Sequence, residues 1–262
     1  MTNYTNLLNN LEHLKLDKMR SMLPEYLEKV KKEPPHIIDA LLELTNEEIQ
    51  YQTVRASDAL IRAAAFPFRK TLDDFDFDFQ PSINKDEIKP GLSVFVTNYN
   101  SEDKSNILFV GNSGVGKTHL AVALGIKATE HRYSVYFITC HALIMKLNKA
   151  QKENRLDKLL QHMCQYRILI IDEIGYLPVD KQGSNLFFQL INKRYGNKST
   201  IITTNMPFSK WSDVFYDATL ANAVLDRLLH YSNVIRITGN SYRIKDKIEE
   251  KDMRKKVGGN YD

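Results

Sequence analysis

The eight residues Gly111-Asn112-Ser113-Gly114-Val115-Gly116-Lys117-Thr118 fit G-x-x-x-x-G-K-[ST] without deviation. They follow the strand-like run Asn106–Val110 and open a stretch with helical spacing. A strand that passes straight into a helix through glycines curls its backbone so that N–H groups and the helix N-terminus surround an anion. In that setting Lys117 serves the β- and γ-phosphates of a nucleotide, and the Thr118 hydroxyl serves Mg²⁺. The competing reading, a glycine turn that binds nothing, does not account for the strand-to-helix context.

Four further short β-rich runs follow, Val135–Thr139, Ile168–Ile171, Ile201–Thr204 and Val234–Ile237, separated by segments long enough for crossover helices. This alternation predicts an α/β fold with a five-stranded, mostly parallel sheet covered by helices on both faces. The run Arg167–Ile171 ends in Asp172-Glu173, as a buried strand would deliver two carboxylates at its C-terminal edge. That is a Walker B pattern: Asp172 orients Mg²⁺, and Glu173 positions and polarises the attacking water, so ATP hydrolysis is expected beyond binding. Asn205, at the end of the next strand, is suited both to holding the γ-phosphate or the lytic water and to capping the turn before Met206-Pro207. In the helical stretch Thr219–His230, Arg227 lies off the apolar arc and is a candidate to reach a neighbouring subunit's phosphates. Arg243, in Ser241-Tyr242-Arg243, is a phosphate sensor or a surface ion-pair partner.

The first 65 residues read as a small all-helical unit. Met19, Met22, Leu23, Tyr26, Leu27 and Val30 recur at spacings of three and four, and a second helix is expected through Ile37–Leu42. Thr45 with Glu48 then reads as the capping box of a third helix. The expected division is a helical N-terminal domain over 1–66 for oligomerisation, partner or DNA docking, a connector over 67–104, and an ATPase domain over 105–262. In the connector, Phe75, Phe77 and Phe79 alternate with Asp74, Asp76 and Asp78, a period of two that belongs to extended chain. Its rings are expected to pack on the following domain, with contact to a base as the alternative.

Composition matters chiefly through its distribution. With 43% hydrophobic and 26% charged residues, the chain is neither fibrous nor wholly disordered. No apolar run approaches the ~20 residues of a membrane span, which fits a cytoplasmic protein. Two cysteines are too few for a disulfide framework, and no zinc-ligand spacing is present. Residues 105–262 hold 23 basic side chains against 14 acidic ones, whereas 71–104 hold 3 against 8. Within the basic part, Lys146, Lys149, Lys152, Arg155 and Lys158 form a helical stretch able to track a phosphate backbone, with Lys193, Arg194 and Lys198 as secondary candidates. Contacts of this kind position DNA without reading bases.

Together these motifs resemble the AAA+ ATPases of the initiator and helicase-loader group, and most closely the IstB-type transposition helpers. The stretches that carry the resemblance are Thr71–Ser82, Gly116-Lys117-Thr118-His119-Leu120-Ala121, Asp172–Pro178, Thr204–Phe208, Leu225–His230 and Gly239–Arg243. The resemblance implies a nucleotide site extending to His119, ATP and Mg²⁺ as cofactors, and a homo-oligomer in the ATP state. It also implies assembly on double-stranded DNA without sequence preference and stimulation of a cognate transposase. A DnaC-type replicative helicase loader is the alternative. Only 23 residues follow Gly239, too few for a C-terminal lid domain, so none is expected.

Overall fold

The computed structural model describes residues 2–31, 33–83 and 105–245. The chain divides into two compact units, Met1–Ala59 and Leu60–Asp262.

The first unit holds α1 (Asn3–His13), α2 (Asp17–Val30) and most of α3 (Ile37–Ala63), around a core of Leu11, Met19, Leu23, Tyr26 and Leu44. Residue 16, before α2, is a leucine and has no side-chain acceptor for the orphan amides of the helix start. The acceptor comes from α3 instead: buried Glu48 takes the Met19 N–H at 2.9 Å. This corrects the capping-box reading of Thr45 and Glu48. Residues 37–63 form one helix, in which the Thr45 hydroxyl donates back to the carbonyls of Leu41 and Leu42 at 2.7 and 3.1 Å. No glycine or proline interrupts the segment, so nothing forces a break there.

The second unit is an α/β sandwich. Its elements are β1 (Asn106–Gly111), α4 (Lys117–Glu130), β2 (Val135–Thr139), α5 (Cys140–Lys152), α6 (Leu156–Gln165), β3 (Ile168–Ile174), α7 (Lys181–Arg194), β4 (Ser199–Thr204), α8 (Trp211–Val214), α9 (Ala218–Leu229) and β5 (Ser232–Ile237). The five strands are all parallel in the order β2-β3-β4-β1-β5. Alternate residues feed opposite faces. Leu108, Leu169, Ile171 and Ile202 pack with α5 to α9, while Ile107, Phe109, Ile168, Ile170 and Ile201 pack with α4. Both faces being covered explains why the central strands read as continuous apolar runs. Because β4 lies between β1 and β3, the ends of all three converge on one crevice at the carboxyl edge of the sheet.

The connector departs from its expected extended form. Residues 72–83 run as consecutive turns, closed by Phe75 N–H to Leu72 O, Gln80 N–H to Phe77 O and Ile83 N–H to Gln80 O. The aspartates decide this, since a short carboxylate accepts nearby backbone amides. Asp74 takes the Thr71 N–H at 2.7 Å, and Asp76 takes the Phe79 N–H at 3.0 Å. The rest of the connector, 84–104, and the tail on which the absence of a lid bears, 246–262, lie outside the described residues.

Candidate functional site

The loop leaving β1 makes its turn on Gly114 (φ 81°) and Gly116 (φ 96°). At Gly116 a Cβ would stand 2.5 Å from Cε2 of buried Phe75, so the connector packs against the loop where only glycine fits. Lys117 Nζ donates to the carbonyls of Gly111 and Asn112 at 2.8 and 2.7 Å. Burial lowers its pKa, a tendency that the nearby Asp172 carboxylate opposes. The Thr118 hydroxyl lies 3.0 and 3.2 Å from the two Asp172 oxygens. Burial raises the Asp172 pKa, against the lowering effect of bonds from Thr203 and Thr118.

Glu173 follows in the left-handed region, φ 63°, where the β3–β4 register shifts between Ile171 and Ile174. Taken out of the ladder, its N–H donates to the Thr203 hydroxyl at 2.9 Å, and the same hydroxyl donates to Asp172. Thr203 on β4 therefore ties both acidic residues to the sheet. Asn205, just beyond β4, has a buried Oδ1 without a hydrogen-bond partner among the described residues.

One cleft is lined by Gly114 to His119, Glu173, Thr203, Tyr176 and Arg243, with Phe68, Lys70, Asp74, Phe75, Asp76 and Gln80 of the connector as its other wall; Asp172 and Asn205 are not among its lining residues. Arg243 reaches it from the short turn Tyr242–Ile244, which is pinned by Tyr242 N–H to Gly114 O at 2.9 Å. His119 Nε2 lies 2.8 Å from Thr71 O, which only accepts, so that nitrogen carries the hydrogen. The ring sits edge-on to Phe75, and its pKa is lowered, chiefly by burial. Oxygen donors of Thr118 and Asp172 side by side at a phosphate-cradling loop form a set that fits Mg²⁺. Sequence reasoning missed Thr203 and Tyr176, whereas the connector rings pack on the second unit's core as expected, with Phe75 against Gly116. Thr203 carries no motif signal, although the Thr-rich end of Ser199–Thr204 is unusual for a fully buried strand.

The family model described as IstB-like ATP binding protein matches residues 9–250. The chain belongs to that family. Among its relatives, the protein of insertion sequence IS232 from Bacillus thuringiensis subsp. berliner, named as its ATP-binding protein, is 48% identical over 93% of this chain and 96% of its own length. The corresponding protein of IS21 from Pseudomonas aeruginosa is 40% identical over 90% and 88%. The crystal structure of the DnaC helicase loader superposes with a TM-score of 0.52 at 29% identity, over 64% of this chain and 96% of that one. The IstB-like chain is thus a P-loop AAA+ protein that binds ATP.

Two sequence-derived sets lie elsewhere in this IstB-like fold. Arg227, on α9, lies outside the cleft-lining residues. Its guanidinium is held against α7 by Asn192 Oδ1 (2.7 Å) and the Phe188 ring (4.6 Å to the centroid), and on its own helix by Ala223 O (3.0 Å). Of the basic set, Lys146, Lys149, Arg155 and Lys158 line a concavity of about 400 Å³ between α5 and α6 together with His162 and Glu153, which is ion-paired with Arg155; Lys152 is not among its lining residues. The single basic helix expected there is two helices, with a left-handed Asn154 (φ 54°) between them. Arg194 is corrected as a DNA candidate. It is 1% exposed, with its guanidinium hydrogen-bonded to Thr200 Oγ1 and to the carbonyls of Met163, Tyr166 and Ser199. Among the described residues, no helix is long and apolar enough to cross a membrane.

Proposed function

We propose that this IstB-like protein is an ATP-hydrolysing transposition helper that assembles on double-stranded DNA in its ATP state and recruits and stimulates the transposase of its insertion sequence. The observation that carries this reading is one cleft lined by Lys117, Thr118 and Glu173, with the Asp172 carboxylate hydrogen-bonded to Thr118 beneath it. Lys117 holds the β- and γ-phosphates, the backbone amides of residues 112–118 cradle phosphate oxygens, and Thr118 with Asp172 would hold Mg²⁺. Mg²⁺ there would neutralise charge on the phosphate oxygens. Glu173 accepts a proton from the attacking water as it is oriented toward the γ-phosphate, with Asn205 supplying a further polar contact and Arg243 a cation from the same subunit. Arg227, outside its own cleft, is assigned to a neighbour's site, where a guanidinium stabilises transition-state charge and makes assembly depend on the γ-phosphate. The basic concavity, with Lys152 beside it, is assigned to the DNA backbone; the relatives' association with insertion sequences supports that assignment.

The test is mass photometry and ATPase turnover on duplex and single-stranded DNA of matched length. ATP-dependent oligomers on duplex that disperse with ADP are expected. E173Q should retain ATP and lose turnover, and R227A should bind ATP while assembling poorly. Full turnover in E173Q removes Glu173 as the base. The similarity to the DnaC loader favours one second reading, a helicase loader, for which preference for single strands would be the result.

A further inference from the structure

Glu173 is held in an unfavourable backbone conformation, and such residues persist only where the surroundings over-determine them. Two restraints are described above: the bond to Thr203 and the register shift. A third follows in the chain. Gly175 turns at φ 101°, where a Cβ would meet Met206 Cγ at 2.4 Å, and this turn carries Tyr176 over the phosphate loop. There the Tyr176 hydroxyl donates to Ser113 Oγ at 3.1 Å. The Walker B segment is thereby strapped to the crest of the loop that binds phosphate. Beyond Tyr176 lies a second cavity of about 600 Å³, whose walls include Thr139, Ile144, Met145 and Leu177. Among the described residues, Glu173 and Tyr176 line both spaces.

We propose that Tyr176 is a positioning residue for ATP hydrolysis: its bond to Ser113 fixes the Glu173 carboxylate against the phosphate loop, and its ring separates the reaction cleft from the second cavity. This inference rests on the hydrolysis reading above. A neutral, half-exposed hydrogen bond is a modest restraint, so its loss should slow the step that depends on geometry without greatly changing affinity.

Tyr176→Phe keeps the ring and removes the strap; Ser113→Ala removes the strap from the other side. Each is expected to lower kcat three- to ten-fold with KM within two-fold of wild type, and the double variant should be no slower than the worse single one. Amide hydrogen exchange across 172–177 should quicken in Tyr176→Phe in the presence of ATP. Tyr176→Ala, which also opens the partition, should fall further than Tyr176→Phe. Wild-type kcat in Tyr176→Phe, a raised KM at unchanged kcat, or multiplicative losses in the double variant would overturn the proposal while leaving hydrolysis intact. Absence of turnover in the wild-type protein, with ATP bound, would overturn the hydrolysis reading and this inference together.

Discussion

Replacing Thr203 with valine keeps the side chain's shape and removes one hydroxyl that serves two buried groups. In the wild-type protein that hydroxyl accepts the Glu173 N–H at 2.9 Å and donates to the Asp172 carboxylate. Thr203 is 1% exposed, so water cannot take over readily. An orphaned buried N–H costs about 1–3 kcal/mol, and a lost bond to a charged acceptor about 1.5–3 kcal/mol. Asp172 keeps its Thr118 bond and the two losses share one site, so a combined cost of about 3 kcal/mol is expected for T203V. For a unit of this size that corresponds to a melting temperature lower by roughly 6–12 °C. The assay is intrinsic fluorescence during thermal unfolding. Trp211 is the chain's single tryptophan and is fully buried in the second unit, so the signal reports that unit alone. T203S keeps the hydroxyl and should recover most of the loss. A T203V protein melting within about 2 °C of wild type, or no lower than T203S, would refute the argument that this hydroxyl anchors the acidic pair.

In the first unit, E48A removes the carboxylate that caps α2 across the core, and destabilisation of about 1–3 kcal/mol is expected by far-UV circular dichroism of full-length protein; an unchanged first transition would contradict the cap. Gly116→Ala forces a Cβ into Phe75 at a left-handed position, so a loss of about 2 kcal/mol in the Trp211-reported transition and weaker binding of a fluorescent ATP analogue are both expected. Native stability and binding in that variant would show that the loop can relax. Burial lowers the His119 pKa, so the folded protein binds its proton less readily than the unfolded chain, whose value is about 6.5. The stability His119 contributes is therefore present above that pH and is lost as pH falls below it through the lowered folded value. The melting-temperature advantage of wild type over H119Q should shrink between pH 7.5 and 5.5, and a constant or growing advantage would show that burial does not govern this histidine.

Much of the site was legible because its chemistry is local. Gly111–Thr118 must bend, cradle and charge within eight residues, and Asp172-Glu173 must end a buried strand, so spacing alone identifies them. Strand identity was equally local, since a sheet covered on both faces writes itself as apolar runs. The connector misled for a local reason too. Its alternating Phe and Asp satisfy a strand pattern, but carboxylates bonding to neighbouring amides turned it into a chain of bends.

What the sequence by itself determined was the set of parts: a P-loop, an acidic strand end, five strands with crossover helices, and a basic stretch. What only the tertiary structure decided was which distant residues complete them. Thr203 reaches Asp172 and Glu173 because β4 is inserted between β1 and β3. Glu48 caps a helix 29 residues away, Arg194 is buried beneath carbonyls rather than exposed, and Phe75 closes on Gly116. The physical reason is that periodicity records which face of an element is apolar, whereas an unpaired amide, carboxylate or guanidinium is satisfied by whatever the strand order and helix packing bring within about 3 Å.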